Sequence, residues 1–134
     1  ERNPMAICWS IYKSEFNNPD MAFTYKQEYI AEFYLLYKDL INFWKNKYPN
    51  QIININYEEF VDDYENNIKK IFQELELNWE NHLLEFYKNK RPVETSSFQQ
   101  VRKKIYKNSS EEWKKYKAYL SPMMDILLKN KIEF

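Results

Sequence analysis

Residues of types that can bind an anion stand near the start of the chain. Arg2 comes directly before Asn3-Pro4, which has the form of a helix start, and Ser10 follows the arginine by eight residues. A guanidinium, a hydroxyl two turns further on and the positive end of a helix can together bind one dianion. The alternative is a purely structural role, because Arg-Asn-Pro is also a common way to open a helix.

A second group of cationic residues lies in the C-terminal third. Between Lys88 and Lys117 the chain has ten Lys/Arg and three Asp/Glu, although the whole chain has 20 of each class and no net charge. The zero net charge gives no reason to expect a nucleic-acid or membrane partner. The local excess indicates either an anion site or a lysine-rich face that is only solvated.

The sequence offers little for metal or redox chemistry. Cys8 is the only cysteine, so no internal disulfide can form, and we expect a reducing, cytoplasmic location. His82 is the only histidine, and without a Cys/His cluster we expect no metal site. No apolar run approaches the roughly 20 residues that span a bilayer. The frequent use of Lys, Asn and Ile is typical of an AT-rich bacterial genome.

Helices are the main elements that the sequence predicts. The first is predicted from Pro4 to about Tyr12, and Thr24 to Lys47 gives the strongest signal. Its apolar residues recur at spacings of three and four and form one stripe: Ile30, Phe33, Tyr37, Leu40, Ile41 and Trp44. Further helical segments are predicted at residues 58–63, 66–75 and 79–87, from Ser109 or Ser110 onward, and at 123–128.

One strand is predicted, and it has no partner in the chain. Ile52, Ile53 and Ile55, followed by Tyr57, form a short β-branched run bounded by turn residues. A single strand makes no sheet, so we expect its partners outside this sequence or in another copy. The chain also lacks glycine, on which phosphate loops and tight strand-to-helix turns depend. We therefore expect a fragment of an α/β protein, mostly helical, with one short parallel-sheet strand.

Four segments, taken in order, resemble the sulfotransferases related to tyrosylprotein sulfotransferases and to their tetratricopeptide-associated bacterial relatives. The first, Arg2-Asn3-Pro4 with Ser10, is similar to the family's Arg-Asp-Pro. The resemblance implies that Arg2 and Ser10 hold the 3′-phosphate of the nucleotide. Where the tyrosylprotein enzymes have a second arginine, this chain has Ser14, with Lys13 beside it.

The second and third segments lie in the middle of the chain. Residues 55–61 resemble a family strand that ends in Tyr-Glu-Asp-Leu-Val, which implies that Tyr57 contacts the nucleotide. Residues 77–86 resemble a scaffold stretch of the family, to which no chemistry is assigned. Glu76 stands where that stretch usually has a glycine.

Residues 93–113 carry the most specific part of the resemblance. In order, the family has Thr-Ala-Ser, Gln-Val-Arg, Pro-Ile-Tyr, Ser-Ser and Trp. At matching spacing this chain has Thr95-Ser96-Ser97, Gln100-Val101-Arg102, Lys104-Ile105-Tyr106, Ser109-Ser110 and Trp113. The resemblance implies that Ser97 is catalytic and stabilises the transferring sulfuryl group. It also implies that Ser97, Gln100, Arg102 and Lys103 bind the nucleotide. Glu112 stands where a basic residue usually precedes the tryptophan.

The implied protein is a sulfotransferase of the P-loop-type fold, with residues 1–134 as the C-terminal part of its single domain. It would transfer a sulfuryl group from 3′-phosphoadenosine 5′-phosphosulfate (PAPS), without a metal, to a hydroxyl of a protein, saccharide or small molecule. In this family the 5′-phosphosulfate loop and the catalytic base precede the segments found here. We therefore expect these 134 residues alone to be inactive.

A competing interpretation is a noncatalytic helical interaction module. Its aromatic-rich helices would bind a partner protein, and the basic stretch from Lys88 to Lys117 would bind a polyanion. Dependence on a 3′-phosphate separates the two interpretations, because a general polyanion patch does not distinguish nucleotides by one phosphate. A fragment of a P-loop kinase is a weaker alternative, since such enzymes have no need of the Thr-Ser-Ser and Gln-Val-Arg stretch.

Overall fold

All regular structure is helical in the part of the chain that the computed structural model describes, residues 1–93 and 100–134. The α-helices in this part are α1 (Pro4–Tyr12), α2 (Gln27–Lys47), α3 (Tyr57–Asp62), α4 (Tyr64–Glu74) and α5 (Ser121–Lys129). The 3-10 helices are Pro19–Tyr25, Asn81–Lys88 and Ser109–Tyr119. The chain divides into two compact units: the first combines Glu1–Asn54 with Asn108–Phe134, and the second is Ile55–Lys107.

The predicted strand is wrong. Residues 52–56 have no regular structure, and α3 begins at Tyr57. The Asn56 side chain ends the extended run by accepting a hydrogen bond from the backbone N–H of Glu59 at 3.0 Å, which caps α3. A β-branched run forms a strand only where another strand bonds to its backbone, and no described segment does so. The described chain is therefore helical and not of the α/β class.

The start of α1 agrees with the prediction. Asn3 is the N-cap, with its Oδ1 accepting from the backbone N–H of Ala6 at 3.0 Å, and Pro4 lies in the first turn. The helix buries Met5, Ala6 and Cys8. These three residues show which face of α1 is turned toward the core, and the rest of the helix is also largely apolar apart from Ser10.

The helix α2 begins three residues later than predicted and buries a different face. Thr24 belongs to the preceding 3-10 helix, where its Oγ1 donates to the carbonyl of Met21 at 2.8 Å. Ile30, Ala31 and Tyr34 are the buried residues of α2. Of the predicted stripe only Ile30 is among them, and four members stay 39–54% exposed: Phe33, Tyr37, Leu40 and Trp44. The buried face is rotated around the helix by roughly 80° from the centre of the predicted stripe, and Ile30 lies where the two overlap.

The core of the first unit joins four helices. Buried residues come from α1, α2, the 3-10 helix Ser109–Tyr119, and the segment that contains α5: Met5, Ala6, Cys8, Ile30, Ala31, Tyr34, Trp113, Leu120, Met123 and Leu127. Trp113 also contacts Phe134 edge-on, with ring centroids 5.6 Å apart. Since burying a large apolar side chain contributes about 1.5–3 kcal/mol, this cluster is what holds the 3-10 helix against α1.

The second unit is held mainly by aromatic contacts. Tyr64 meets Phe60 at 5.3 Å and Phe86 at 5.9 Å between ring centroids. Phe72 of α4 meets Trp79 at 5.5 Å. Among the described residues of this unit only Val61 is buried. The unit therefore has a much smaller core than the first one.

Among the described residues, three adopt the left-handed backbone conformation in a chain that has no glycine to place there: Glu76 (φ 55°), Asn108 (φ 69°) and Lys131 (φ 60°). The first and last of these close Schellman motifs after α4 and α5. The N–H of Leu77 donates to the carbonyl of Phe72 at 2.8 Å, and the N–H of Ile132 donates to that of Leu127 at 3.0 Å. Glu76 thus has the geometry that favours glycine, the residue usual at that position in the family.

Candidate functional site

Arg2 is the centre of the candidate site. Its Nε donates a hydrogen bond to Ser110 Oγ at 3.1 Å, and its Nη2 donates one to Ser109 Oγ, also at 3.1 Å. Two bonds from one guanidinium fix the orientation of its plane. A serine hydroxyl that accepts a hydrogen bond also has a proton to donate. The three side chains therefore form a group of donors suited to an anion.

The two serines are placed by the turn before them. Asn108 has left-handed dihedral angles, and its carbonyl accepts from the N–H of Glu111 at 3.0 Å, which closes the first turn of the 3-10 helix. Asparagine tolerates this conformation better than most residues. Ser110 is only 5% exposed, and Trp113 in the following turn is 3% exposed. The buried tryptophan anchors the helix, so both hydroxyls have fixed positions at its start.

Aromatic stacking holds α1 beside the same 3-10 helix. The rings of Trp9 and Tyr116 are stacked at 4.4 Å between centroids with an interplanar angle of 26°. Such pairs contribute about 0.5–1.5 kcal/mol beyond their buried area. This contact and the bonds from Arg2 join α1 to the 3-10 helix at separate points along both elements.

An ion pair lies at the C-terminal end of α1. Lys13 Nζ is 2.6 Å from Glu112 Oε2. The hydrogen bond from Lys13 holds the pKa of Glu112 below its usual value, and the charges of Lys115 and Arg2 act in the same direction. Side chains three residues apart eclipse in a 3-10 helix, so Ser109 and Glu112 share one face. Arg2 and Lys13, from opposite ends of α1, both bond to that face.

Ser10 lies on α1, half-buried, next to Trp9 and three residues before Lys13. Both of these neighbours contact the 3-10 helix, and the role of Ser10 at the 3′-phosphate stays a prediction. The helix amides at the start of α1 fit the prediction less well. The N–H groups of Ala6 and Ile7 already donate to the side chain and the carbonyl of Asn3. An anion at this site would be bound mainly by side chains.

Arg2 also lines a cavity of about 450 Å³ in the first unit. Tyr34 and Tyr37 supply aromatic surface to its wall, and Lys38 and Lys131 add positive charge. The remaining lining residues are Glu1, Pro4, Ile7, Ile132 and Glu133. Its volume falls within the range of roughly 300–1,000 Å³ that is typical of small-molecule sites. There is therefore space for part of a ligand next to the Arg2 guanidinium.

The other predicted site residues belong to the second unit. Tyr57 is the half-buried first residue of α3, so it does not end a strand. Gln100, Arg102 and Lys103 share one exposed turn, in which the N–H of Lys103 donates to the carbonyl of Gln100 at 3.0 Å. Arg102 Nη2 donates to the backbone carbonyl of Arg91. Ser97 lies outside the described residues.

The described residues include no group of three or more His, Cys, Asp or Glu side chains that could hold a metal ion. His82 is an exposed residue whose Nδ1 lies 3.0 Å from Glu80 Oε2. None of the described helices combines the length and the apolar character that crossing a membrane requires.

Sequence reasoning did not assign a role to the partners of Arg2. Ser109-Ser110 was part of the family pattern, which is the signal that could have marked these serines, but the pattern does not say what they contact. The pair between Lys13 and Glu112 was also missed. Glu112 departs from the family pattern and Lys13 stands beside the departure at Ser14, and the opposite charges of the pair were the available clue.

Comparison with known proteins identifies the family of the chain. The model of the Sulfotransferase family matches residues 1–81, a range that contains Arg2, Ser10 and Tyr57. An uncharacterised protein of Aquifex aeolicus (strain VF5) is 34% identical over 129 residues, which is 95% of this chain and 17% of that protein. The chain thus spans about a sixth of the length of this relative. No solved structure matches the chain significantly. Because the family match covers more than half of its residues, the chain belongs to the sulfotransferase family.

Proposed function

We propose that the full-length protein transfers a sulfuryl group from PAPS to a hydroxyl acceptor, and that this chain binds the 3′-phosphate of the nucleotide. The observation that carries the proposal is the contact of Arg2 with Ser109 and Ser110. PAPS, when bound, supplies the sulfuryl group that the acceptor oxygen receives. The acceptor is a hydroxyl of a protein, a saccharide or a small molecule.

The donors in the first unit suit a phosphate dianion. A guanidinium offers positive charge and N–H donors to a phosphate, and hydroxyls donate to phosphate oxygens. Arg2 supplies the guanidinium, and Ser109 and Ser110, which accept from its Nη2 and Nε, supply the hydroxyls. Ser10 adds another hydroxyl on the adjacent helix. Because the serines orient the arginine before any ligand arrives, little side-chain entropy is lost on binding.

The residues of the second unit have proposed roles that rest on the family resemblance. Tyr57, Gln100, Arg102 and Lys103 contact the nucleotide in this proposal. Ser97 donates a hydrogen bond to the charge that develops on the transferring group. The exposed positions of Arg102 and Lys103 are compatible with binding a charged ligand.

Calorimetric titration of the full-length protein with adenosine 3′,5′-bisphosphate and with 5′-AMP tests the proposal. We expect the bisphosphate to bind much more tightly, because only it presents the 3′-phosphate. Arg2→Ala removes a charge-assisted contact and should cost about 1.5–3 kcal/mol of bisphosphate binding. Arg91→Ala is the matched control, since the side chain of Arg91 has no place in the proposed site, and it should leave the Kd unchanged.

Other outcomes separate the remaining interpretations. Equal binding of the two nucleotides, or no binding of either, contradicts the proposed activity. A noncatalytic helical module then describes the chain better. That interpretation requires exposed apolar residues for a partner protein, and α2 has them. It also requires a basic stretch that binds polyanions whether or not they carry a 3′-phosphate.

A further inference from the structure

We propose that Lys13 is a second cation for the 3′-phosphate and that the carboxylate of Glu112 competes with the phosphate for it. This inference rests on the proposed function and adds two residues to the same site. In the described structure Lys13 pairs with Glu112 at 2.6 Å. On nucleotide binding, Lys13 exchanges this partner for the phosphate, and on release it returns to Glu112.

The placement of the two cations supports this exchange. Arg2 precedes and Lys13 follows the nine-residue helix α1, yet both reach the first turn of the 3-10 helix that begins at Ser109. Ser109 and Glu112 are one 3-10 turn apart, which is a rise of about 6 Å. The charge of Arg2 also contributes to lowering the pKa of Glu112, so Arg2 and Lys13 both act on this carboxylate. A dianion bound at Arg2 therefore lies within electrostatic reach of Lys13.

The charges at the site favour the exchange. The pKa of Glu112 is lowered, so its carboxylate is ionised at neutral pH and carries a single negative charge. A phosphate dianion beside Arg2 attracts Lys13 more strongly and repels Glu112. The two side chains are 40% and 42% exposed, and ion pairs this accessible contribute little stability. Breaking the pair is therefore a small cost, and the flexible lysine stem allows the ammonium group to move.

Titrations with adenosine 3′,5′-bisphosphate on variants of the full-length protein test the inference. Glu112→Gln should bind the bisphosphate about two- to fivefold more tightly, because Lys13 loses its competing partner. Lys13→Met should bind it about tenfold more weakly. In the background of Lys13→Met, adding Glu112→Gln should tighten bisphosphate binding less than it does in the wild type, because no Lys13 ammonium is left to release. A purely structural role of the pair predicts the opposite sign for Glu112→Gln.

Glu111→Gln is the control for Glu112→Gln. Glu111 is the adjacent residue and carries the same charge, but it pairs with Lys114. We expect Glu111→Gln to leave the Kd unchanged. The inference is overturned if Glu112→Gln binds equally or more weakly, or if Glu111→Gln tightens binding to the same extent.

The failure of this inference is distinguishable from the failure of the proposed function. If the wild-type protein does not prefer the bisphosphate to 5′-AMP, both are wrong. If it does prefer the bisphosphate and Arg2→Ala abolishes the preference, the proposed function stands. Unchanged binding in Lys13→Met and Glu112→Gln then overturns the role of the pair alone. Glu112→Gln preserves the size of the side chain, so the test remains available even if Lys13→Met fails to fold.

Discussion

Arg2 and Ser110 are 108 residues apart in the sequence and are joined by a hydrogen bond of 3.1 Å from the arginine Nε to the serine Oγ. The bond connects the residue before α1 to the start of the 3-10 helix Ser109–Tyr119. The candidate site thus depends on two distant parts of the chain, which the core of the first unit brings together. Substitutions in either part should affect the same binding event.

Ser110→Ala should weaken binding of adenosine 3′,5′-bisphosphate by about 1 kcal/mol, roughly fivefold, because Arg2 loses an acceptor that orients it. Binding of 5′-AMP should change little. Calorimetric titration of the full-length protein with both nucleotides measures the effect. Ser121→Ala removes an exposed serine outside the site and serves as the control. Equal losses for the two nucleotides would count against a role for Ser110 at the 3′-phosphate.

Substitutions of Asn108 should separate its backbone role from its side chain. Asn108→Gly preserves access to the left-handed conformation and should keep the stability of the protein within about 0.5 kcal/mol. Asn108→Val should cost about 1–2 kcal/mol, since a β-branched residue is strained at φ 69°. Denaturant unfolding measures both. If the valine variant is as stable as the glycine variant, the turn does not impose this conformation.

Glycine at the two Schellman positions should stabilise the protein. Glu76→Gly and Lys131→Gly relieve left-handed strain, and after the entropy cost of glycine each should gain about 0.5–1 kcal/mol. Glu74→Gly, placed in the last turn of α4 itself, is the matched control and should instead destabilise by a similar amount. Denaturant midpoints report the sign of each change. A loss of stability in Glu76→Gly would contradict the strain argument.

The sequence predicted best where local chemistry decides the structure. The Asn3-Pro4 start of α1 was predicted because an N-cap and a first-turn proline act within a few residues. The strand at residues 52–57 was predicted wrongly because β-branched residues favour extended backbone but cannot supply a partner. The helix from Ser109 was expected, yet its 3-10 form was not, since residue spacing does not distinguish it from an α-helix.

The candidate site was predictable only in part. Arg2 and Ser10 follow from a short motif, and the structure places Arg2 just before α1, in contact with Ser109 and Ser110, and Ser10 within that helix. The bonds from Arg2 to these serines were not predictable, because contacts across more than a hundred residues depend on how the core packs. The apolar stripe of α2 illustrates the same limit. Periodicity marked its apolar residues without showing which side the core of the unit would use.

The Cys8 thiol should be unreactive in the folded protein. It is fully buried, and burial raises its pKa from 9.0 to about 12, so almost no thiolate is present at pH 8. Labelling with iodoacetamide at pH 8, mapped by mass spectrometry, should modify Cys8 only after unfolding. Rapid labelling of the native protein would show that this part of the core opens readily.

Burial of Cys8 and Tyr34 should also make the protein less stable at high pH. Burial raises the pKa of Cys8 from 9.0, and that of Tyr34 from 10.0, to about 12 in both cases. At pH values between the ordinary pKa and the raised pKa of each group, the unfolded chain releases a proton that the folded chain keeps. The free energy of unfolding therefore falls as pH rises. Denaturant unfolding from pH 8 to 11 measures the slope. Cys8→Ala and Tyr34→Phe should each make it shallower, whereas an unchanged slope would contradict the assignment.

The proposed site requires that Arg2 interact with the 3′-phosphate itself. Testing this interaction requires four dissociation constants, for wild type and Arg2→Ala with adenosine 3′,5′-bisphosphate and with 5′-AMP. We predict that Arg2→Ala weakens binding of the bisphosphate by about 1.5–3 kcal/mol more than binding of 5′-AMP. If the substitution weakens both nucleotides equally, Arg2 does not bind the 3′-phosphate, and the proposed site is wrong.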